Sequence, residues 1–226
     1  MMEIDIVDFH AHVLPCADHG SNSVTTSLIQ LEYAKAHGVK RIIATPHFYP
    51  HRHTLEFFLN RRRMAYEALI QDLPSDAPEI KLGAEVLLCE GLGNFEGIEQ
   101  LCISGTKTLL LELPFTEFRN EYADAAAELL RRGFDIVLAH VDRYPKDSIE
   151  RMRDVGVSKF QINASSLAKL FKKKHLFDWI YEGLVVALGS DIHNKDKGAY
   201  RKFRKAVKAL GVNAEHISQK SDKIWN

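Results

Sequence analysis

The chain has 226 residues, of which 46% are hydrophobic and 27% charged, and its 30 basic side chains balance 30 acidic ones. This composition provides enough apolar material for a buried core and excludes wholesale disorder, and the balanced charge gives no field that favours nucleic acid or an anionic membrane as the main partner. The acidic start lacks the features of a signal peptide, and no apolar run approaches the ~20 residues of a membrane helix. We therefore expect a cytoplasmic protein, in which the eleven histidines are the unusual feature.

Seven short apolar runs are predicted to form strands. They lie at residues 4–9, 41–45, 80–85, 108–113, 134–140, 159–163 and 184–190. Runs such as LLLEL and VVALG are almost continuously apolar, which is typical of strands buried on both faces of a parallel sheet. Helical patterns separate these runs, at residues 23–37, 54–73, 121–132, 147–154, 176–182 and 200–210.

This alternation of strands and helices predicts an α/β fold. Because the chain has about seven such strands and no linker or repeat, we predict a single domain over residues 1–226 that forms a closed or nearly closed barrel. A doubly wound open sheet is the alternative. The polar tail after Gly211 is expected to be peripheral, and the pattern assigns no structure to residues 91–103.

Six of the seven predicted strands carry a histidine or a carboxylate at or near the C-terminal end. These residues are His10, His12, His47, Glu85, Glu112, His140, Asp142, Asp191 and His193. The C-terminal ends of the strands form the catalytic face of a parallel β/α barrel. Carboxylates inside apolar strands are costly unless they are paired, and bound metal ions offset that cost. The convergence therefore predicts one metal site more readily than six unrelated buried residues.

Imidazoles and carboxylates without thiolates suit Zn²⁺, Mn²⁺ or Fe²⁺. The ligands are too many for one ion, whereas two or three ions bridged by a carboxylate would use them. Ions ~3.5–4 Å apart can clamp a phosphoryl group and lower the pKa of a bound water to roughly 7, which is the chemistry of phosphoester hydrolysis. Asp8, two residues before His10, is a candidate acceptor that orients an imidazole. No glycine-rich nucleotide loop is present, which argues against a kinase or a dehydrogenase.

Seven segments occur in order along the chain: DFHAHVLPCADHG, ATPH, GAEV, LLLELPF, VLAHVDRY, INASSL and LGSDIHN. This ordered set resembles the PHP (polymerase and histidinol phosphatase) family of metal-dependent phosphoesterases, and within it the bacterial capsule-type protein tyrosine phosphatases. The resemblance implies a distorted seven-stranded (β/α)7 barrel with a trinuclear site at its C-terminal face. Three divalent ions per chain are expected, with Mn²⁺ favoured and Fe or Zn²⁺ as alternatives.

The resemblance also implies a role for each ligand. One ion would be held by His10, His12, Glu85 and Asp191, a second by Glu85 as a bridge with Glu112 and His140, and a third by His19, His47 and His193. The phosphatases usually read Asp-Asp-Gly where this chain reads Asp18-His19-Gly20, so Asp18 is the alternative to His19. A metal-activated water would attack phosphorus, and Arg143, Asp191 and His193 are the expected catalytic residues.

The expected substrate is protein phosphotyrosine, and the expected partner is the tail of a bacterial tyrosine kinase that controls capsule or exopolysaccharide synthesis. The phosphatases that the chain resembles usually carry two arginines that are expected to hold the phosphate, and Leu87 and Gly198 stand at these positions here. This departure keeps open a small phosphomonoester of the histidinol-phosphate or nucleotide type. A non-catalytic metal-binding regulatory module is the third alternative. No nucleic acid and no membrane span are expected. Basic groups that remain available are Arg143, Arg52, Lys195 and Arg201.

Overall fold

A computed structural model describes residues 5–167 and 174–226 of the chain. In these ranges it contains nine strands: β1 (Asp8–Ala11), β2 (Arg41–Ala44), β3 (His47–Phe48), β4 (Glu79–Leu82), β5 (Glu85–Leu87), β6 (Thr108–Glu112), β7 (Asp135–Leu138), β8 (Lys159–Asn163) and β9 (Val185–Gly189). The α-helices in the same ranges are α1 (Val24–Ala36), α2 (Leu55–Gln71), α3 (Asn120–Arg131), α4 (Lys146–Asp154), α5 (Ala164–Leu167), α6 (Lys174–Tyr181), α7 (Ala199–Leu210) and α8 (Val212–Trp225). The predicted α/β alternation is confirmed.

All six predicted helices are present, with ends within two residues of the predicted ones. The starts of α1 and α2 follow from their sequence, because the side chains of Ser23 and Thr54 accept hydrogen bonds from the backbone N–H groups of Thr26 and Phe57. Such caps satisfy N–H groups that have no partner within the helix.

The strands form one curled, barrel-like parallel sheet in the order β3-β5-β6-β7-β8-β9-β1-β2-β4. The prediction of seven strands is wrong in number, because two runs are each divided into two strands. Pro46, just beyond the predicted strand 41–45, separates β2 from the short additional strand β3, and Gly83 divides the predicted strand 80–85 between β4 and β5. Proline has no N–H with which to continue a ladder. The two interrupted runs still lie side by side, since Gly83 N–H donates to the Ala44 carbonyl at 2.9 Å and Glu85 N–H donates to the Pro46 carbonyl at 3.1 Å. The strand order therefore begins with β3, from the first run, and ends with β4, from the second.

The first strand begins later than predicted, at Asp8, and residue 4, where the predicted strand starts, lies outside the described residues. The carbonyl of Asp5 accepts hydrogen bonds from the Ser218 hydroxyl at 2.8 Å and from the Arg41 guanidinium at 3.2 Å. The Asp5 carbonyl is thus bonded to side chains, and β1 begins three residues after it.

Alternate residues of the strands bury their side chains in two separate clusters. On β6, Leu109 and Leu111 belong to the large cluster that includes helix residues such as Leu129 on α3, whereas Leu110 belongs to a smaller cluster with Phe9. This is the two-residue alternation of a strand, so Glu112 lies on the same face as Leu110. The face that holds the smaller cluster therefore also carries Glu112, one of the candidate ligands.

The expectation of a peripheral tail is wrong, because residues 212–225 form helix α8, which packs against β9. Its buried residues recur at helical spacing: Ala214, Ile217, Ser218, Ser221, Ile224 and Trp225. Two of them are serines, so the composition of the tail hides its apolar stripe. Residues 91–103 contain two short 3-10 turns, Leu92–Asn94 and Ile98–Leu101. Across the described ranges, no helix is both long and apolar enough to cross a membrane.

Candidate metal centre

Most of the residues predicted as ligands meet where the strands end. Their nitrogen and oxygen atoms form four overlapping groups, within each of which every ligand atom lies within 4.8 Å of the others. The groups are His10, His12 and Asp191; His10, Glu85 and His140; His47, Glu85 and Glu112; and His12, His47 and His193. The strand ends thus bring together residues that are up to 183 positions apart in the chain, as parallel β/α topology requires.

His10 on β1 and His12, which directly follows this strand, direct ring nitrogens at each other. His10 Nε2 lies 3.1 Å from His12 Nε2, and His12 Nε2 lies 3.4 Å from Asp191 Oδ1. Two ligand atoms bound to one ion at ~2.1 Å are themselves about 3.0–3.4 Å apart in octahedral or tetrahedral geometry. The spacing therefore fits atoms that share a cation.

Glu85 lies at the centre of the cluster and is almost completely buried. Its Oε2 is 3.0 Å from His10 Nε2 and 2.9 Å from His47 Nδ1, whereas its Oε1 is 2.7 Å from His140 Nε2. Glu112 approaches the same His140 nitrogen at 3.5 Å. The two oxygens of Glu85 thus face different ring nitrogens, which is the arrangement of a carboxylate that bridges two positions.

His19 and Asp18 occupy different places, although they are adjacent in the chain. The His19 side chain is exposed, and its ring centroid lies 4.9 Å from that of His47 and 4.7 Å from that of His193. The carboxylate of Asp18 instead accepts hydrogen bonds from His12 Nδ1 at 2.7 Å, from His47 N–H at 3.0 Å and from Gly20 N–H at 2.7 Å. Asp18 therefore orients His12, while the ring of His19 borders the cluster.

Three of the histidines share an orientation that suits metal ligands. His10, His12 and His193 each have Nδ1 close to a protein oxygen, from Gln161 at 3.1 Å, Asp18 at 2.7 Å and the Asp191 carbonyl at 3.0 Å, respectively. In a neutral ring whose Nδ1 donates its proton to that oxygen, Nε2 carries no proton and can act as a metal ligand. Histidine ligands of metal ions commonly use one nitrogen in this way and the other for the metal.

Several buried atoms of the cluster lack a hydrogen-bond partner within the described part of the chain. They are Glu85 Oε2, His47 Nδ1 and His193 Nε2. Buried polar atoms are normally paired, so a group of them around shared space indicates a missing partner. A cation satisfies carboxylate oxygens and imidazole lone pairs at once, and these residues therefore fit divalent metal ions.

The electrostatics of the cluster favour ionised carboxylates. Burial alone would raise the pKa of Glu85, but the neighbouring imidazoles of His10, His12 and His140 lower it well below its usual range. Burial likewise opposes ionisation of Asp191, whereas His12 and His10 lower its pKa. Both groups are therefore carboxylates near neutral pH and can act as anionic ligands.

Arg143, the basic group predicted beside the ligands, lies at the edge of the cluster. It follows His140 in a 3-10 turn over Val141–Arg143, and His140 itself has the positive φ of 32° that turns the chain at the end of β7. Its guanidinium donates to Asp191 Oδ2, and its side chain is 40% exposed. Arg143 is thus accessible from solvent while it contacts a candidate ligand.

Two residues that the sequence analysis did not single out hold the ligands in place. Gln161 Oε1 lies 3.1 Å from His10 Nδ1 and accepts from His140 N–H at 2.8 Å. Asn163 Nδ2 donates to Asp191 at 2.9 Å, and Gln161 Nε2 donates to Asn163 Oδ1 at 2.9 Å. Both amides lie on β8, the predicted strand without a histidine or carboxylate at its end. Their two-residue spacing is the signal that could have found them.

The expectation that Asp8 orients an imidazole is wrong. Its Oδ1 accepts from the backbone N–H of Ser190 at 2.8 Å and of His10 at 3.4 Å. Burial raises the pKa of this carboxyl to about 6 despite these hydrogen bonds. Asp8 therefore ties β1 to the residue after β9, and the partner of the His10 ring is Gln161.

Two clefts border the cluster. One, here called the aromatic cleft, has a volume of about 200 Å³ and is lined by residues that include Phe115, Phe118, Tyr122, Arg143 and Tyr144. Its Phe115 is 66% exposed and stacks on the His140 ring at 6.1 Å. The other, the basic cleft, has a volume of about 310 Å³ and is lined by Tyr49, Arg52, His53, Phe57 and Arg61 together with His19 and His47 of the cluster.

The chain is similar in sequence to named phosphatases. The chain is 26% identical over 204 residues to the tyrosine-protein phosphatase YwqE of Bacillus subtilis, which covers 84% of this chain and 78% of that protein. It is also 26% identical over 210 residues to the tyrosine-protein phosphatase CpsB of Streptococcus agalactiae, covering 84% of each.

The fold resembles that of a chain from the crystal structures of YwqE from Bacillus subtilis and CpsB from Streptococcus pneumoniae, described as unique metal-dependent tyrosine phosphatases. The TM-score is 0.77 at 21% identity, with coverage of 97% of this chain and 92% of the other. The model of the capsular polysaccharide synthesis CpsB/CapC family matches residues 6–219. The chain therefore belongs to the CpsB/CapC family.

Proposed function

We propose that the protein is a metal-dependent phosphatase that hydrolyses protein phosphotyrosine. The observation that carries the proposal is the cluster in which His10, His12 and Glu85 direct nitrogen and oxygen atoms at one another with the spacing of shared cation ligands. Family membership and the names of the relatives support the choice of phosphotyrosine. We take the tail of a tyrosine kinase as the partner, the cytoplasm as the compartment and capsule or exopolysaccharide synthesis as the process.

Within this proposal we take three ion positions, with Mn²⁺ favoured, and the four groups of ligand atoms contribute ligands to each position. His10, His12 and Asp191 would hold one ion with Glu85, which would be shared with a second ion held by Glu112 and His140. His19, His47 and His193 would hold the third. When bound, such ions supply a water of lowered pKa and neutralise charge on the phosphoryl oxygens.

The protein's own residues then divide the remaining work. Asp18 and Gln161 keep the rings of His12 and His10 in the tautomer that directs Nε2 inward. Arg143 would donate hydrogen bonds to phosphoryl oxygens from the solvent side, because its guanidinium already contacts Asp191 at the edge of the cluster. The exposed ring of Phe115 beside Arg143 offers a surface for an aryl leaving group.

A small phosphomonoester is the second candidate substrate, and one observation favours it. Leu87 on β5 and Gly198 before α7 stand where the related phosphatases are expected to carry phosphate-binding arginines. With fewer arginines to hold the phosphate, the site would suit a substrate whose other chemical groups also contribute to binding.

The test combines metal analysis with hydrolysis of para-nitrophenyl phosphate and of a phosphotyrosine peptide, with added Mn²⁺ and after chelation. We expect bound metal and peptide hydrolysis that chelation abolishes. Hydrolysis of the small ester alone would assign a small-molecule phosphatase. Metal occupancy without turnover on any phosphoester would indicate a non-catalytic regulatory module.

A further inference from the structure

The basic cleft contains two arginines whose charge is not neutralised by a neighbouring carboxylate. Among the described residues, neither Arg52 nor Arg61 forms an ion pair, whereas Arg63 on the same helix pairs with Glu67 at 2.9 Å. Asp18 also lines the cleft, but its side chain is only 6% exposed and its oxygens accept the three hydrogen bonds described above. The cleft is therefore left with a positive charge.

Both arginines are held at the cleft by contacts that leave their terminal nitrogens available. The Arg52 guanidinium lies 5.1 Å from the centre of the Tyr49 ring, which is itself stacked on His47. Arg61 donates through Nε to the carbonyl of Cys16 at 2.7 Å, and its two terminal amino groups make no hydrogen bond with the described residues. Guanidinium groups presented in this way match the oxygens of a carboxylate or a phosphate.

The position of the cleft decides what it can bind. Its lining includes His19 and His47, so it opens directly beside the atoms proposed to hold the third ion. The aromatic cleft lies at the loops that follow β6 and β7, whereas the basic cleft lies at β3 and α2, on the side of His47. A peptide whose phosphotyrosine occupies the cluster therefore has room for a neighbouring side chain in the basic cleft.

We propose that Arg52 and Arg61 form a subsite for an anionic side chain, a carboxylate or a second phosphate, next to the phosphotyrosine of a peptide substrate. This inference rests on the proposed function, and it adds a preference that the metal cluster itself does not supply. Tyr49 and Phe57 provide the apolar walls along which the carbon atoms of that side chain would pack.

The experiment uses the Mn²⁺-loaded protein and peptides in which a non-hydrolysable phosphonate replaces the phosphotyrosine. Three peptides differ only beside this group, with neutral residues, glutamates or a phosphoserine, and binding is measured by titration. We expect the glutamate and phosphoserine peptides to bind roughly five- to tenfold more tightly than the neutral one, with the difference shrinking at high salt. The two anionic peptides separate a carboxylate from a phosphate as the preferred group.

The matched variants are Arg52→Gln with Arg61→Gln, and Arg63→Gln as the control on the outer face of α2. The double variant should bind all three peptides with similar affinity, whereas Arg63→Gln should keep the wild-type preference. Equal affinities in the wild-type protein, or a preference that survives in a folded and metal-loaded double variant, would overturn the subsite. Hydrolysis of the corresponding phosphotyrosine peptides is measured separately, so that binding preference without turnover refutes the proposed function alone.

Discussion

The cluster depends most on Glu85, because the two oxygens of its side chain face imidazoles from different parts of the sheet. Glu85→Gln keeps the shape of the side chain but removes its charge. We expect the amount of bound metal to fall. Phosphatase activity should drop by more than about 10–100-fold, which is the loss typical of changing a residue that only contacts a metal ligand. Glu96→Gln, at an exposed position, is the control. Wild-type turnover and metal content in Glu85→Gln would refute the site.

Gln161 orients the cluster without belonging to it. In Gln161→Leu the ring of His10 and the backbone N–H of His140 lose their shared acceptor. We expect the affinity for metal, measured by titration with a competing chelator, to fall about 10–100-fold. Gln219→Leu on the exposed face of α8 should leave it unchanged. An unaltered affinity in Gln161→Leu would mean that the ligands are positioned by their strands alone.

Substitution of Arg143 distinguishes substrate binding from metal binding. We expect Arg143→Ala to raise KM or lower kcat for phosphoesters while the metal content measured by elemental analysis stays constant. Arg143→Lys should recover part of the loss, because a point charge replaces only some of the guanidinium hydrogen bonds. If Arg143→Ala also loses metal, the contact of this side chain with Asp191 has a structural role instead.

At the scale of elements, Gly189 shows how tightly β9 approaches its neighbours. A Cβ at this position would lie 2.6 Å from Gln161 Nε2 and 2.7 Å from His10 Cβ. Gly189→Ala is therefore expected to lower the free energy of unfolding by about 1–3 kcal/mol and to weaken metal binding, since it displaces both residues. Denaturant titration and metal analysis check this. Gly198→Ala, where φ is −86° and the nearest atom is 3.1 Å away, should have a smaller effect on both.

The elements also show what could be predicted from sequence. The ends of the strands were predictable, because apolar runs that finish in His10 or Glu85 place these residues at one face of the sheet. Gln161 was harder to find, since an amide inside a strand has no charge that demands a partner, and its two-residue spacing from Asn163 was the signal available. The interruption of two strands was not predictable, because Pro46 and Gly83 mark a break but do not reveal that the ladder continues across it.

At the scale of the whole molecule, α8 packs against the sheet through buried side chains that the polar composition of the tail does not predict. Trp225 is 7% exposed, joins the smaller cluster and lies under the cations of Arg41 and Lys81, 5.7 and 5.1 Å from its ring. Trp225→Ala should lower the free energy of unfolding by about 3 kcal/mol, as for other large buried side chains.

Urea denaturation measures this change, with Val212→Ala, 70% exposed on the same helix, as the control. The folded fraction of Trp225→Ala should retain wild-type activity, because none of the ligand groups includes a residue of α8. Equal stability of the two variants would mean that the tail contributes little to the fold.

The candidate ligands extend from His10 to Asp191 and His193, with members from strands distributed along the chain between them. A partly folded chain therefore brings only some of the candidate ligands together. A ligand of the whole cluster binds to the fully folded state alone. Such binding stabilises the native state by mass action. On the proposed function, the free concentration of metal in the cell would therefore set how much of this protein survives proteolysis, as well as how fast it hydrolyses its substrate.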